Sequence, residues 1–491
     1  MGIVLQRDLL LSAPLLVVAL GSLVVLLLEV FIKREWPRVG VVTAVLLFAF
    51  FCMQCTMSDL LPRQTVLYGF FYADLFGMFV NSVIIFGSIL ALWMGAGRLK
   101  HEGVETPGEY YSLFLMCTAG AMMFASSAEL LSLFIGLEIM SMALYCLCGS
   151  NLGSQRSSEA ALKYFFLGSF ASAFLLYGIA LLYGLTGTTI ISEIIPKLGG
   201  VDGPLLYIAM GLMLIGLIFK VGAVPFHFWA PDVYQGAPTP ITAYMACIIK
   251  AAAVAAALRI IWTLFYGAEL IVLWSGILWF VAFLTMILGN LLALRQRSLK
   301  RMLAYSSIAH AGYILVAFLA PTKDYGGGAA ILYYLVAYTV MTLGAFGVVM
   351  VVTSHYANQH DPDDITRFNR LGNKQPVLAA MMALFMLALC GLPPGMAGLL
   401  GKFYIFNAAI KAGYVGLAIV GVLCSAVSCY YYLRVVVAMY FLPEEEGVEE
   451  TVISSDFLSV WAIRLCAVAV IVIGVFPSVI HGSAAQIMAR F

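Results

Sequence analysis

The sequence predicts an all-α polytopic membrane protein, and three observations support this fold class. Hydrophobic residues occupy 63% of the 491 positions and charged residues only 10%, whereas soluble domains have roughly 45–50% apolar and about 25% charged residues. Apolar runs long enough for a spanning helix, ~20 residues, recur along the whole chain. The formal net charge is +1, so no basic or acidic surface suggests nucleic acid or another charged polymer as a partner. This composition excludes a soluble enzyme, a disordered chain and a coiled coil.

About fourteen apolar runs are predicted to be transmembrane helices, and we number these spans in chain order. They cover residues 9–32, 38–57, 72–94, 110–126, 128–149, 160–185, 204–229, 238–264, 270–294, 302–320, 329–353, 376–411, 414–441 and 457–480. The first run is longer than the core of a signal peptide, so we expect it to be retained as span one. Spans four and five meet almost without a loop, and the acidic segment 444–450 is predicted to be a solvated loop.

The distribution of lysine and arginine near the span ends predicts that both termini lie outside. With the N-terminus outside, thirteen of these residues fall in inside segments and six in outside segments. Cytoplasmic loops carry such an excess of positive charge. The even number of spans then places the C-terminus on the same side as the N-terminus.

Two spans contain motifs that interrupt a helix. Span seven contains Lys220-Val-Gly-Ala-Val-Pro225, and span twelve contains Gly391-Leu-Pro-Pro-Gly395 followed by Lys402. Proline removes a backbone donor and clashes with the preceding turn. In lipid such a break persists only where protein or water satisfies the freed backbone groups. For either span alone, an ordinary proline kink is the alternative.

The positions of these breaks predict two inverted five-helix repeats, helices 4–8 and 9–13, with broken helices 7 and 12. Each broken helix is the fourth of its group, and an odd number of spans makes the second group enter from the opposite side. This pattern points to a transport site near the middle of the membrane. The predicted divisions are 1–109 for helices 1–3, 110–265 for the first repeat, 266–441 for the second, and 442–491 for the last loop and helix 14.

Four ionisable residues lie in span interiors, where they are the candidate site: Glu138, Lys220, Lys250 and Lys402. Each such charge costs about 2.5–3.5 kcal/mol on insertion scales. Burial makes a lysine lose, and a glutamate gain, a proton more readily, and an opposite charge nearby reverses both effects. Forming and breaking one ion pair can therefore load and unload a proton. The alternative is a static ion pair between Glu138 and Lys220 that fixes helix packing.

Three further residues are weaker candidates for the same relay. Lys163 lies near the start of span six and could extend to the interface instead. His310 in span ten could pass protons near neutral pH, or could be a hydrogen-bonded core residue. His227 follows the break in span seven and could belong to a water path. Charged residues closer to span ends are more typical of anchors or ion pairs, and these are Glu29, Arg259, Arg434 and Arg464.

The sequence predicts no cofactor or metal in this chain. It contains no Walker loop and no GxGxxG after a strand. Cys52 and Cys55 have CxxC spacing, but no second pair with loop flanks and no histidine pair accompanies them. Most of the ten cysteines lie in apolar runs, where cysteine packs as a small apolar residue.

Three segments resemble one family, the antiporter-like proton-translocating membrane subunits of respiratory complex I, the bacterial NADH:quinone oxidoreductase. Phe219 to Pro240 is similar to the family's signature, Met302 to Tyr313 to the helix-ten motif of the subunit N type, and Gly391 to Lys402 to the broken twelfth helix. The resemblance covers essentially the whole chain. Lys402 favours the subunit N type over subunit M, which has glutamate there, and the chain's end soon after the last span disfavours subunit L.

The resemblance implies a role for each candidate. Separation of Glu138 from Lys220 would release the proton of Lys220 to Lys250, and water and His310 would carry it towards Lys402. It also implies that NADH, FMN, iron–sulfur clusters and quinone bind partner subunits. Subunits M and K would be the membrane neighbours, in contact with lipid of the bacterial inner membrane, with both termini periplasmic. The alternative is a subunit of a multi-subunit Na+/H+ antiporter, which shares the first motif; the helix-ten motif and Lys402 favour complex I.

Overall fold

A computed structural model shows a helical protein, as the composition predicts. It describes residues 2–29, 31, 35–56, 64–99, 102–104, 107–198, 203–265, 271–321, 324–356, 361–443 and 456–491. The acidic segment 444–450 lies outside these residues. Five of the residues counted for orientation also lie outside them, namely Lys33, Arg34, Arg63, Lys100 and Lys323.

The described residues of the N-terminal half form eleven helices. They are α1 (Gly2–Leu28), α2 (Glu35–Cys55), α3 (Leu75–Gly95), α4 (Pro107–Ser126), α5 (Leu130–Cys148), α6 (Gln155–Thr186), α7 (Ile191–Leu198), α8 (Pro204–Val221), α9 (Trp229–Gly236), α10 (Thr239–Tyr244) and α11 (Lys250–Ile260). π-helical turns at Met245–Ile249 and Ile261–Phe265 extend α10 and α11 into one continuous helical segment.

In the C-terminal half, nine helices lie within the described residues. They are α12 (Ile271–Leu294), α13 (Leu299–Phe318), α14 (Gly327–Thr353), α15 (Leu371–Lys374), α16 (Pro376–Cys390), α17 (Met396–Lys411), α18 (Val415–Phe441), α19 (Phe457–Val475) and α20 (Pro477–Arg490). Short 3₁₀ turns occupy Ser354–Tyr356 and Ile365–Phe368.

Eleven helical segments of the described residues are long and apolar enough to cross a membrane. The α10–α11 segment is wholly buried and α14 nearly so, whereas only about a third of α1 and α2 is buried. The exposed faces of the outer helices carry Leu, Phe and Val side chains, as lipid contact requires. The structure therefore confirms a polytopic helical fold, while the count of fourteen spans, the inverted repeats and the domain divisions stay predictions.

A small β-hairpin precedes α3, and the hydropathy pattern did not predict it. Strands β1 (Gln64–Val66) and β2 (Phe71–Ala73) pair antiparallel, with Thr65 opposite Tyr72. The carbonyl of Phe70 accepts hydrogen bonds from Ala128 N (2.9 Å) and Ser132 Oγ (2.8 Å). The hairpin thus covers the short junction between α4 and α5.

Both predicted breaks are complete interruptions, so a kink in a continuous helix describes neither. Gly222 and Gly391 follow α8 and α16 with φ values of +80° and +91°, a left-handed conformation that glycine adopts without a Cβ clash. In each case the amide after the glycine donates to a carbonyl near the end of the preceding helix. Ala223 N donates to Ile218 O (3.1 Å) and Leu392 N to Leu387 O (2.8 Å). These bonds satisfy the terminal carbonyls inside the protein.

Two predicted span ends are wrong. Span seven was predicted to reach residue 229, but α8 ends at Val221 because the chain turns at Gly222. Span fourteen was predicted to reach residue 480, but α19 ends at Val475 and a separate helix begins at Pro477. Proline at the first position of a helix lacks the amide that would continue the preceding one.

Candidate functional site

Lys220 lies in the last turn of α8, next to the break, and is 5% exposed. Its Nζ donates hydrogen bonds to Ser141 Oγ on α5 (2.8 Å) and to Tyr164 OH on α6 (3.2 Å). The Tyr164 ring stacks on Trp229, the first residue of α9, with centroids 4.5 Å apart. Residues from both sides of the break therefore position the amino group.

Glu138 lies on α5, one helical turn before Ser141, and makes no ion pair with Lys220 in this structure. Its Oε1 is buried and has no hydrogen-bond partner in the part of the chain that the structure describes. The residue is only partly buried. At helical spacing, its face of α5 also carries three exposed apolar side chains, Leu131, Ile135 and Met142.

Lys250 begins α11, directly after a π-helical turn, and is 4% exposed. Its Nζ donates to the Ser307 carbonyl on α13 (2.6 Å) and to the Ser307 hydroxyl. The amino group also lies 5.7 Å from the centroid of the Tyr338 ring on α14. A lysine held by two oxygens of one serine has no carboxylate to keep it charged.

His310 lies on α13, three residues after Ser307, and is 1% exposed. Its Nδ1 lies 2.6 Å from Tyr334 OH and its Nε2 lies 3.0 Å from Tyr432 OH. Both ring nitrogens thus face hydroxyl groups, which both donate and accept. The amino groups of Lys250 and Lys402 are both close enough to interact electrostatically with the ring.

Lys402 lies on α17, after the second break, and is 4% exposed. Its Nζ donates to the carbonyls of Leu389 (3.0 Å) and Cys390 (2.8 Å), the last residues of α16, and to Ser425 Oγ on α18 (2.8 Å). A cation at the C-terminus of a helix is stabilised by the helix dipole. The lysine after the break therefore satisfies carbonyls that the break frees.

The structure does not bring Lys163 or His227 into contact with these groups. Lys163 is 41% exposed and pairs with Glu159 (2.5 Å) and Asp232 (2.9 Å), and Asp232 in turn pairs with Arg301 (2.6 Å). His227 is 3% exposed, its ring packs on Phe228, and its buried Nδ1 has no hydrogen-bond partner. The roles of both residues stay predictions.

The sequence did not identify most of the hydroxyl groups that hold the lysines and the histidine. They are Tyr164, Ser307, Tyr334, Ser425 and Tyr432. One signal was available, because Ser306 and Ser307 precede His310 by four and three residues and therefore share its helix face. The described residues contain no group of three or more His, Cys, Asp or Glu side chains that could hold a metal ion.

This architecture of broken helices and buried lysines defines a polytopic membrane subunit of the antiporter-like class, and comparisons with known proteins agree with that class and fold. The family described as NADH:quinone oxidoreductase/Mrp antiporter, transmembrane, matches residues 127–428. NADH-quinone oxidoreductase subunit N of Trichlorobacter lovleyi is 45% identical over 417 residues, which cover 84% of this chain and 83% of that protein.

Two solved structures have the same fold. A chain of respiratory complex I from Thermus thermophilus has a TM-score of 0.80 and 32% identity, covering 96% of this chain and 98% of that one. A chain of the Mrp complex from a Dietzia species has a TM-score of 0.84 and 21% identity, covering 98% and 97%; this second likeness concerns the fold alone. The chain belongs to the NADH-quinone oxidoreductase subunit N family.

Proposed function

We propose that this chain translocates protons as the subunit N of an NADH-quinone oxidoreductase. Glu138, Lys220, Lys250, His310 and Lys402 would carry the protons through the middle of the membrane. Oxidation of NADH and reduction of quinone would occur in partner subunits that bind FMN and iron–sulfur clusters, and their free energy would drive the relay.

One observation carries the proposal: Lys220, Lys250 and Lys402 are each at most 5% exposed, and none has a carboxylate within 4.0 Å among the described residues. A static ion pair that fixes helix packing would show that carboxylate. The lysines instead contact hydroxyl and carbonyl oxygens. Such neutral neighbours stabilise the charged amino group far less than a carboxylate does, so the lysine can change protonation.

The tyrosine-bridged histidine supports a path between the two halves. Its two nitrogens contact hydroxyls from α14 and α18, and the amino groups of both Lys250 and Lys402 are close enough to interact electrostatically with its ring. A proton taken up on one ring nitrogen can be matched by release from the other, since hydroxyl neighbours both donate and accept.

The face of α5 that carries Glu138 supports a contact with a neighbouring subunit. Three exposed apolar side chains share the helix face of Glu138, whose Oε1 is buried without a hydrogen-bond partner among the described residues. An uncompensated charge in the membrane interior costs about 2.5–3.5 kcal/mol, so a polar group or a cation beside Glu138 would stabilise it. We propose that subunits M and K lie beside this chain in the inner membrane, with both termini of this chain periplasmic.

The alternative, a subunit of a multi-subunit Na+/H+ antiporter, fits the site less well. Sodium binds to oxygen ligands, several of them usually carboxylates or carbonyls. Here the carbonyls of Leu389 and Cys390 already accept hydrogen bonds from Lys402. A protonated lysine at that position would repel the ion.

Reconstituted complexes with Lys220→Ala or Glu138→Ala test the proposal. Protons moved into vesicles and NADH oxidised are measured together, after native gels show that each variant complex assembles. We expect a lower ratio of protons to electrons in both variants. Lys197→Ala is the control, because Lys197 is 46% exposed and pairs with Glu193 (2.7 Å) on the surface helix α7. Normal ratios in both test variants would contradict a relay.

A further inference from the structure

A polar cavity of about 330 Å³ lies on the face that the charge distribution assigns to the cytoplasm. It is lined by the junction of α9 with α10, the start of α13 and the end of α14. Its charged lining residues are Glu102, Arg156, Lys300, Asp361 and Asp363. We propose that this cavity is the proton entrance and that Lys300 takes protons from it for delivery to Lys250. The inference rests on the proposed function and names the residue that would supply it.

Lys300 is unusual among the lining residues because it is a buried cation. It is 8% exposed, and its Nζ donates to the carbonyl of Ala237 at 3.2 Å. No carboxylate of the described residues lies within 4.0 Å of it. The rim of the cavity differs, since Arg156 and Asp361 form an ion pair there (2.9 Å) with both side chains about half exposed. Lys300 is therefore a buried cation held by a backbone carbonyl, unlike the half-exposed ion pair of Arg156 and Asp361.

The course of α13 leads from Lys300 to the partner of Lys250. Lys300 and Ser307 are seven residues apart, so they share a helix face and are separated by about 10 Å along the axis. Ser307 accepts the hydrogen bonds of Lys250 through its carbonyl and its hydroxyl. One helix face thus begins at the cavity and ends at the relay.

Tyr234 occupies the interval between these two residues. It lies three residues before Ala237, which accepts the Lys300 hydrogen bond, and its side chain is 2% exposed and interacts with Ser307. A hydrogen bond from Thr242 Oγ1 to the Tyr234 carbonyl (2.9 Å) fixes the turn. A phenol hydroxyl both donates and accepts, so it can pass a proton without changing its net charge.

Two more hydroxyls border the same interval. Tyr338 OH and Thr342 Oγ1 on α14 are buried without a well-formed hydrogen bond among the described residues. The Tyr338 hydroxyl lies close to the side chains of Ser307 and Thr342, and its ring lies beside the Lys250 amino group. Buried hydroxyls in folded proteins nearly always find a partner, either protein or water. These two groups suit a hydrated connection between Tyr234, Ser307 and Lys250.

Three substitutions of Lys300 separate a proton-transfer role from a structural one. Lys300→Arg keeps the charge and the hydrogen bond to Ala237 but does not titrate. Lys300→His keeps a titratable group on a shorter side chain, whereas Lys300→Met has neither a charge nor a titratable group. The measurement is the proton-to-electron ratio of the assembled complex in vesicles, with Lys250→Met measured in parallel and Lys197→Met as the control.

We expect Lys300→Arg and Lys300→Met to lower the ratio as far as Lys250→Met does, and Lys300→His to retain more of it than Lys300→Arg. A structural role predicts the opposite order, with arginine restoring the ratio and histidine failing; that order would overturn the inference. A normal ratio in Lys300→Met beside a lowered ratio in Lys250→Met would contradict the role of Lys300 at the proton entrance and leave the relay standing. Normal ratios in both would overturn the relay itself.

Discussion

Replacement of Asp74 by asparagine should destabilise the protein at the start of α3, because Asp74 forms a buried bidentate ion pair. Its two carboxylate oxygens accept from Arg259 Nη1 (2.8 Å) and Nη2 (2.7 Å), and the two side chains are 7% and 4% exposed. The Arg259 Nε donates to the Ala125 carbonyl (3.0 Å). The pair thus joins α3, α4 and α11. The sequence placed Arg259 only among residues that anchor or pair near a span end.

The expected magnitude follows from the charge that Asp74→Asn leaves behind. Removing one partner of a buried pair costs about 3–5 kcal/mol, because the other charge stays buried and uncompensated. Asparagine keeps the side-chain oxygen that accepts from Gly77 N at the start of α3 (2.7 Å), so loss of the helix cap is not the cause. Replacing both residues, as Asp74→Asn with Arg259→Met, should recover part of the loss.

The assay is equilibrium unfolding of the purified subunit in mixed micelles with rising denaturing detergent, read by circular dichroism. Glu193→Gln serves as the control, because it breaks an ion pair that is about half exposed on both sides, and exposed pairs contribute little. A change below about 1 kcal/mol for Asp74→Asn would refute the reasoning, as would a double variant less stable than the single one.

Two further predictions concern α7 and the second break. Hydrogen bonds from Lys197, and then from Thr188, hold the pKa of Glu193 below its usual value. The stability that Glu193 gives α7 is therefore present above pH ~4.3 and is lost as the pH falls through the lower folded-state pKa. In the wild type, hydrogen exchange of α7 should speed up over that range, whereas in Glu193→Gln it should change with pH only through the intrinsic exchange rate. Gly398→Ala should displace α17 from α16 and lower proton translocation, because a Cβ there would lie 1.8 Å from the Ala388 carbonyl oxygen. Gly416→Ala on α18 is the control. Its Cβ would meet nothing within 4 Å, so this variant should behave as wild type. A fully active Gly398→Ala complex would contradict the close approach.

Local chemistry made the breaks and the buried charges predictable from sequence. Gly222 and Gly391 stand beside the prolines that interrupt spans seven and twelve, and a charge within an apolar run is visible without any structure. The membrane helices were predictable for the same reason, since apolarity over ~20 residues is a local property.

The side-chain contacts of the candidate site were not predictable from the sequence, because they depend on long-range packing. Lys220 reaches Ser141 across 79 positions, and His310 reaches Tyr432 across 122. Neither separation leaves a periodic signal, because the pairing depends on which helices pack together. The expected Glu138–Lys220 contact is absent in this structure, and the hydroxyl of Ser141 takes its place. The three-residue strands of the hairpin are too short to interrupt the hydropathy pattern.

Lys402 offers the most direct test of the central claim that buried lysines carry protons. Its amino group satisfies two helix-end carbonyls, so Lys402→Arg preserves charge and donors while removing the ability to titrate. The measurement is the number of protons moved per NADH oxidised by the assembled complex in sealed vesicles. We predict a lower number for Lys402→Arg than for the wild type, and an unchanged number would contradict the account.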